Sequence, residues 1–328
     1  LTLRIETGSR LHLGFLDLHG GLGRKFASVG VAIDRPRTVI EASPSTAWSY
    51  EGPEAFRSKA EGAARRLTGT LPPLAVKVVE AARAHVGFGS GTQVALAVGS
   101  LAARLLGRDG DVRTLAGLLG RGRRSGVGVE AFAAGGFIVD GGLKPGQEGP
   151  PPLLMRCSLP ETWRFLLAVP DEEEGLSGPD EEKVLATMAP PSPDLAEALC
   201  RLVLMVLLPA LVEADGEAFG SALTEIQRLV GSSFAAAQGG IYASSHGEEL
   251  LAFMTASGAR GVGQSSWGPA LFGFFDDPLL AERALETMSE RGLPGSPDLI
   301  LARPLNEGAR ISGTGPFRKE VRDAFSRC

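Results

Sequence analysis

Apolar and polar positions alternate over residues 2–7 (TLRIET) and again over residues 10–16, where Leu11 and Leu13 share one side, with a Gly8-Ser9 break between the two runs. The pattern predicts a first pair of strands, with Ser9, Arg10, His12 and Asp17 around the turn and second strand. Gly20, Gly21 and Gly23 mark a mobile loop, residues 29–34 read as a buried strand ahead of Pro36, and residues 38–42 as a further short strand. Over residues 56–67 the spacing turns helical, with Ala60, Ala63, Ala64 and Leu67 on one stripe and arginines on the other. Leu74, Val76 and Val78 then alternate, which predicts a strand over residues 74–79.

The sharpest pattern follows at residues 85–106, HVGFGSGTQVALAVGSLAARLL, a glycine-rich loop running into a helix with almost no polar face. Such a helix is normally buried centrally. Its start, opened by Gly87, Gly89 and Gly91 with hydroxyls from Ser90 and Thr92, suits an anion, because unpaired N–H groups and the helix dipole point the same way. Gly107 is placed as a stop, and Asp111 as the cap of a short helix over residues 112–119. A second glycine-rich stretch, RSGVGVEAFAAGGFIVDGG (residues 124–142), holds a lone acid, Glu130, and a strand FIVD ending at Asp140. The segment PGQEGPPP can neither extend a helix nor pack a strand, and it divides the chain into domains at residues 1–150 and 151–328. Beyond it the pattern predicts a strand over 163–169, an acidic solvated loop over 171–182, an apolar helix over 195–212 kinked near Pro209, and helices over 219–230 and 248–256. A third glycine-rich stretch (258–268) precedes a strand (270–275), a helix (279–291), a strand (298–302) and a C-terminal helix (318–325), a β-α-β finish.

Composition narrows the function classes. A length of 328 residues favours two domains. The net charge of −5, with basic residues scattered and densest at Arg121, Arg123 and Arg124, argues against a nucleic-acid surface. No window of eighteen uninterrupted apolar residues occurs, and the N-terminal segment lacks a basic region followed by an apolar one, so a soluble, unexported, cytoplasmic protein with no membrane partner is expected. Cys157, Cys200 and Cys328 are too widely spaced for a zinc site or a disulfide frame, and read as reduced thiols.

HVGFGSGTQ admits two readings: a phosphate cradle, with Gly87, Gly89 and Gly91 turning the backbone inward and Ser90, Thr92 and Gln93 supplying contacts, or a tight strand-to-helix turn. It is not a Walker loop, since it has no lysine, and it lacks the third glycine of a dinucleotide fingerprint. Two further glycine-rich stretches with hydroxyls and an acid fit a single composite site.

The order ETGSRLHLGFLD, HVGFGSGTQ, RSGVGVEAFAAGG and GVGQSSWGPALFGF, spanning residue 4 to about 275, resembles the GHMP superfamily of small-molecule kinases. It is more closely similar to that superfamily's non-kinase branch, the β-ribofuranosylaminobenzene 5′-phosphate synthases of methanopterin biosynthesis. The resemblance implies an α+β GHMP-type two-domain fold, with a ribosomal S5 domain 2-like N-terminal domain, a ferredoxin-like C-terminal domain and the ligand between them. The departures separate the branches. The kinases carry PxGxGLGSSAA, where His85 here stands for the proline and GSGTQ for GSSAA. Laying the kinase SGxDxA pattern on Ser125-Gly126 puts Gly128 where the catalytic aspartate belongs, and glycine accepts no proton.

The resemblance to the synthases implies condensation of phosphoribosyl pyrophosphate with 4-aminobenzoate or 4-hydroxybenzoate, loss of pyrophosphate and CO₂, and Mg²⁺ as cofactor. The site residues it implies are Arg10 and His12 for a carboxylate or phosphate, Asp17 as metal ligand or acid/base, and Glu130 as a substitute for the missing acid. Glu130 and Asp140 are further candidate metal ligands. Ser9, Arg24, Lys25, the glycine loop, Ser125 and Gly126 stand as substrate-binding candidates, together with Gln264, Ser265, Ser266 and Trp267, the last to stack on an aromatic acid. A homodimer is the expected assembly, because twofold pairing is the commonest arrangement of soluble chains. An ATP-dependent kinase and a catalytically dead ligand-binding member remain the alternatives.

Overall fold

The computed structural model describes residues 1–108, 110–171, 175 and 178–314. The helix expected over 318–325 and Cys328 lie outside the described residues, as do residues 172–174, 176 and 177 of the acidic loop.

Two long antiparallel strands, β1 (Thr2–Asp17) and β2 (Phe26–Pro44), form the spine of the first sheet. The Gly8-Ser9 break is therefore no turn. The ladder runs from Leu3 opposite Ala42 to Asp17 opposite Phe26, with register shifts between Thr7 and Ser9 and between His12 and Gly14. Bulges of this kind bend a strand and re-aim its side chains without ending the pairing. Ser9 is consumed there, its hydroxyl donating to the Pro36 carbonyl at 2.7 Å. The two strands expected over 29–34 and 38–42 are likewise one strand.

Strand β3 (Ser49–Glu51), helix α1 (Glu54–Thr68) and strand β4 (Leu74–Glu80) follow, giving the order β4 between β2 and β3. Helix α1 buries Phe56, Ala60, Ala63 and Ala64 against α2 (Ser90–Leu105), which is buried on nearly every side as its composition predicts. Asp111 caps α3 (Val112–Leu118) by accepting from the N–H groups of Arg113 and Thr114. The second glycine-rich stretch holds a helix ahead of the expected strand. That helix, α4 (Val127–Ala133), leads into β5 (Phe137–Asp140), which pairs β2 on one side and β6 (Leu153–Cys157) on the other.

The proline–glycine segment at 145–152 is the connection between β5 and β6, so the first sheet continues past residue 150. It also takes its last strand, β11 (Arg310–Thr314), from beyond the second module, paired to β1. The change of module falls after Cys157; prolines and glycines serve a connection within a sheet as well as a linker.

The second module is built on an antiparallel sheet in the order β10-β7-β9-β8, from β7 (Arg164–Val169), β8 (Gly261–Gln264), β9 (Leu271–Phe275) and β10 (Asp298–Ala302). Around it lie α5 (Pro179–Thr187), α6 (Pro193–Leu202), α7 (Leu208–Glu213), α8 (Gly216–Gln238), α9 (Gly247–Ala256) and α10 (Pro278–Ser289). The apolar helix expected over 195–212 is α6 joined to α7 by a π-helical turn at Val203–Leu207, just ahead of Pro209. The whole run Pro193–Glu213 is the one stretch among the described residues long and apolar enough to cross a membrane by length and composition; Leu199, Val203, Leu207, Ala210 and Leu211 on one side of it enter the core. Phe137 of β5 packs on Phe219, which packs on Trp163 and Phe274, so the two modules share one apolar cluster. That continuity fixes the walls of the space between them.

Candidate functional site

A cleft of about 610 Å³ opens where α2 begins, with β1, α1 and residues 119–125 on one side and residues 266–268 and the start of α5 on the other. Gly89, in the left-handed region, turns the chain into α2, and no side chain caps the helix. The N–H groups of Thr92 and Gln93 both reach the Gly89 carbonyl, and among the described residues none takes those of Ser90 and Gly91. Two unpaired donors at the positive end of a sixteen-residue helix make an anion seat.

Arg10 and His12, two apart on β1, face this seat from below. The Arg10 guanidinium donates to the Gly87 carbonyl, and burial pulls its pKa down to about 10, which leaves it a cation. Ser265 donates to the same carbonyl at 2.7 Å and accepts from the His12 N–H at 3.0 Å. One buried hydroxyl thus ties β1, the first glycine loop and the third glycine stretch together.

The His12 imidazole is buried and its Nε2 has no partner. Burial, and after it the charges of Arg10 and Arg124, push its pKa down to about 3. At neutral pH it is an uncharged group, so it offers a ligand a hydrogen bond and not a positive charge. It stands at the seam between the cleft and a side cavity of about 30 Å³, together with Phe15 and Trp267. Trp267 is itself 5% exposed, edge-on to Phe234 at 4.5 Å, so its ring is largely spent on the core and only its rim borders the cleft.

The acids expected to hold metal are each engaged elsewhere. Asp17 accepts from the Gly20 N–H at 2.8 Å and does not border the cleft. Glu130 is buried in an ion pair with Arg113, whose other nitrogen donates to the Pro151 carbonyl at 2.6 Å. Asp140, fully buried, accepts from the Ser28 hydroxyl and from the N–H groups of Gly126 at 2.8 Å and Gly142 at 3.0 Å; burial raises its pKa against the pull of those bonds. Among the described residues no group of three His, Cys, Asp or Glu side chains is placed to hold a metal ion. These carboxylates therefore do not fit a Mg²⁺ site.

Of the other expected residues, the cleft brings together Arg10, His12, Gly87, Gly89, Ser90, Gly91, Thr92, Ser125, Ser266 and Trp267. Gln93 lies inside the first module, accepting from Thr7 at 3.0 Å and donating to the Gly128 carbonyl at 2.9 Å. Gln264 braces its own loop, through the Ala243 N–H and the Ser266 carbonyl. Gly126 gives its N–H to Asp140, Arg24 donates to the Gly142 carbonyl at 3.0 Å, and Lys25 bridges to Leu143, its ammonium over the Phe26 ring. None of these five borders the cleft.

The sequence pattern missed the cations of the wall: Lys59 and Arg66 on α1, and Arg121, Arg123 and Arg124 after α3. The arginine stripe of α1 has the spacing of a solvated face, and the run at 121–124 is the only local signal. Arg124 crosses the cleft to Glu181 at 2.7 Å; the other four have no ion pair among the described residues.

The family model for the GHMP kinases C terminal matches residues 207–293. The chain is similar to the β-ribofuranosylphenol 5′-phosphate synthase of Methanothermobacter thermautotrophicus, 35% identical over 84% of this chain and 90% of that one. It is also 35% identical to the protein of the same name from Archaeoglobus fulgidus, over 84% and 88%. Among solved structures, homoserine kinase from Cytophaga hutchinsonii superposes with a TM-score of 0.69 over 95% of this chain and 97% of that one at 14% identity, a likeness of fold alone.

Proposed function

The chain belongs to the family of β-ribofuranosylphenol 5′-phosphate synthases, enzymes of pentosyl transfer on the GHMP fold, and from that premise we propose that it joins phosphoribosyl pyrophosphate to a 4-substituted benzoate at carbon. The observation that carries the reading is a cleft with an anion seat and a neutral imidazole, beside a helix start where Gly128 stands in place of the aspartate a kinase uses as its base. Gly128 lies beside Thr92 at the helix start, an added Cβ falling 3.4 Å from the Thr92 methyl, and Glu130 two residues on is locked to Arg113. Neither position offers an alcohol the proton acceptor that phosphoryl transfer needs. Substitution at the ribose needs none.

On this reading the bond from C1 of ribose to the diphosphate breaks with its electron pair leaving on oxygen. The ring carbon bearing the carboxylate forms the new bond to C1. The ring–carboxylate bond then breaks, its electron pair restores aromaticity, and CO₂ departs in place of a ring proton. The helix start and Arg10 stabilise charge growing on the diphosphate. His12, Phe15 and Trp267 hold water away from the electron-poor sugar carbon, since an uncharged imidazole between aromatic edges brings no tightly hydrated ion with it. The relatives' names speak of a phenol, which for this chain favours 4-hydroxybenzoate over 4-aminobenzoate. Mg²⁺ enters only as the counterion a diphosphate brings with it. A place in tetrahydromethanopterin assembly and a cytoplasmic homodimer belong to the same proposal.

Purified chain given phosphoribosyl pyrophosphate, Mg²⁺ and 4-hydroxybenzoate is expected to release pyrophosphate and CO₂ in equal amounts. ATP consumption in the presence of a small alcohol, with no CO₂, would overturn the proposal in favour of a kinase. Binding of phosphoribosyl pyrophosphate without turnover would overturn it in favour of a ligand-binding member.

A further inference from the structure

The cations of the cleft fall into two groups. Lys59 lies by the helix start: a Cβ added to Gly91 would sit 3.9 Å from its Cε. Arg66 is seven residues further along the same face of α1, about 10 Å away at the helical rise. There it meets Arg123 over Gly120, whose added Cβ would be 3.0 Å from the one guanidinium and 3.2 Å from the other. Arg121 borders the cleft beside them, its Nε buried and without a partner. The charges that reach His12 are those of Arg10 and Arg124; the charges that reach Arg121 are those of Arg66 and Arg123. Three guanidinium groups held together with no ion pair to a carboxylate among the described residues repel one another until an anion arrives.

We infer that Arg66, Arg121 and Arg123 seat a second anion, the 5-phosphate of the ribose, so that the cleft reads its substrate at two phosphorylated ends. The inference rests on the proposed function and assigns the ends by chemistry. The diphosphate is carried on the carbon that reacts, so it belongs at the helix start next to His12. The phosphomonoester is carried on a carbon that does not react, so it belongs on the arginines further along α1. Binding energy collected at that remote end holds the sugar while its other end changes charge. Planar guanidinium groups suit a phosphate dianion, which they grip through paired N–H donors.

The test separates the two ends with two small probes, ribose 5-phosphate and inorganic pyrophosphate, titrated calorimetrically into the full chain. In the double variant Arg66→Gln, Arg123→Gln, ribose 5-phosphate is expected to weaken at least tenfold while pyrophosphate stays within about twofold. The exposed single change Arg123→Gln, which the fold tolerates most readily, is expected to move in the same direction by a smaller factor, and Gly91→Val to reverse the pattern. Equal weakening of both probes, or no change for ribose 5-phosphate, would overturn the assignment of ends. If the unaltered chain bound neither probe but bound ATP, the functional reading itself would fall, a result distinct from either of those.

Discussion

A Cβ placed on Gly91, the second residue of α2, would meet nothing nearer than the Lys59 side chain at 3.9 Å. A Cβ on Gly135, just after α4, would lie 2.3 Å from the Leu305 carbonyl oxygen, on a backbone held at φ +65°. Both glycines come from stretches of the same composition, yet the fold requires only the second. The space beside Gly91 opens into the cleft, whereas the space beside Gly135 is taken by the strand connection that packs there. The first glycine stretch thus lines the cleft at the helix start, whereas the second reaches it through Arg124 and Ser125 and packs behind it at Gly135.

Substitutions at the two places put this contrast at risk. Gly135→Val is expected to cost about 3–5 kcal/mol, from an unfavourable φ and a clash with backbone, read as a shifted midpoint in denaturant unfolding. Gly91→Val is expected to stay within about 1 kcal/mol of the parent while losing pyrophosphate affinity. Equal destabilisation by the two would remove the distinction between them. Next in size, Glu130→Gln weakens a buried ion pair with a half-exposed arginine, for a loss of about 1–3 kcal/mol, with kcat/KM of the folded enzyme unchanged. A fall of several orders of magnitude in kcat would instead make Glu130 a base.

His12 supplies a pH dependence. In the unfolded chain its imidazole takes a proton as pH falls through about 6.5, whereas the buried group refuses one until about 3. Between those limits the unfolded state binds more protons. Stability is therefore full above the upper limit and declines as pH falls through the window, by at most about 1.4 kcal/mol per pH unit. His12→Gln is expected to flatten that part of the stability profile. An unaltered profile would show that the imidazole is not held neutral. The smallest effect is expected from Lys59→Gln, a few-fold loss of pyrophosphate affinity that shrinks at high salt, about 0.5–1 kcal/mol for a part-exposed charge; a titration at two salt concentrations checks it.

Local pattern reached the elements whose cause is local. The apolar run of α2, the Asp111 cap and the alternation of β4 each follow from neighbouring residues, and each stands where the pattern puts it. Bulges in β1 were not legible, because alternation broken at Gly8-Ser9 looks the same for a turn and for a strand that shifts register. The return of β11 to β1 joins residues three hundred positions apart and leaves no local trace. At the site, the residues near the glycine loops came into view through their motifs, while the roles of Asp17, Glu130 and Asp140 depended on partners supplied by the fold. Lys59 and Arg66 escaped for the opposite reason: cations at helical spacing opposite an apolar stripe have the pattern of a solvated face, and only the placement of α1 beside α2 turns that face into a wall.

The claim that joins these observations is carbon–carbon bond formation with loss of the carboxylate, and carboxyl-labelled 4-hydroxybenzoate decides it. With phosphoribosyl pyrophosphate present, the label is expected to leave as CO₂, one for each pyrophosphate released. Pyrophosphate released with the label retained in the aromatic product would mean transfer to oxygen and would contradict it.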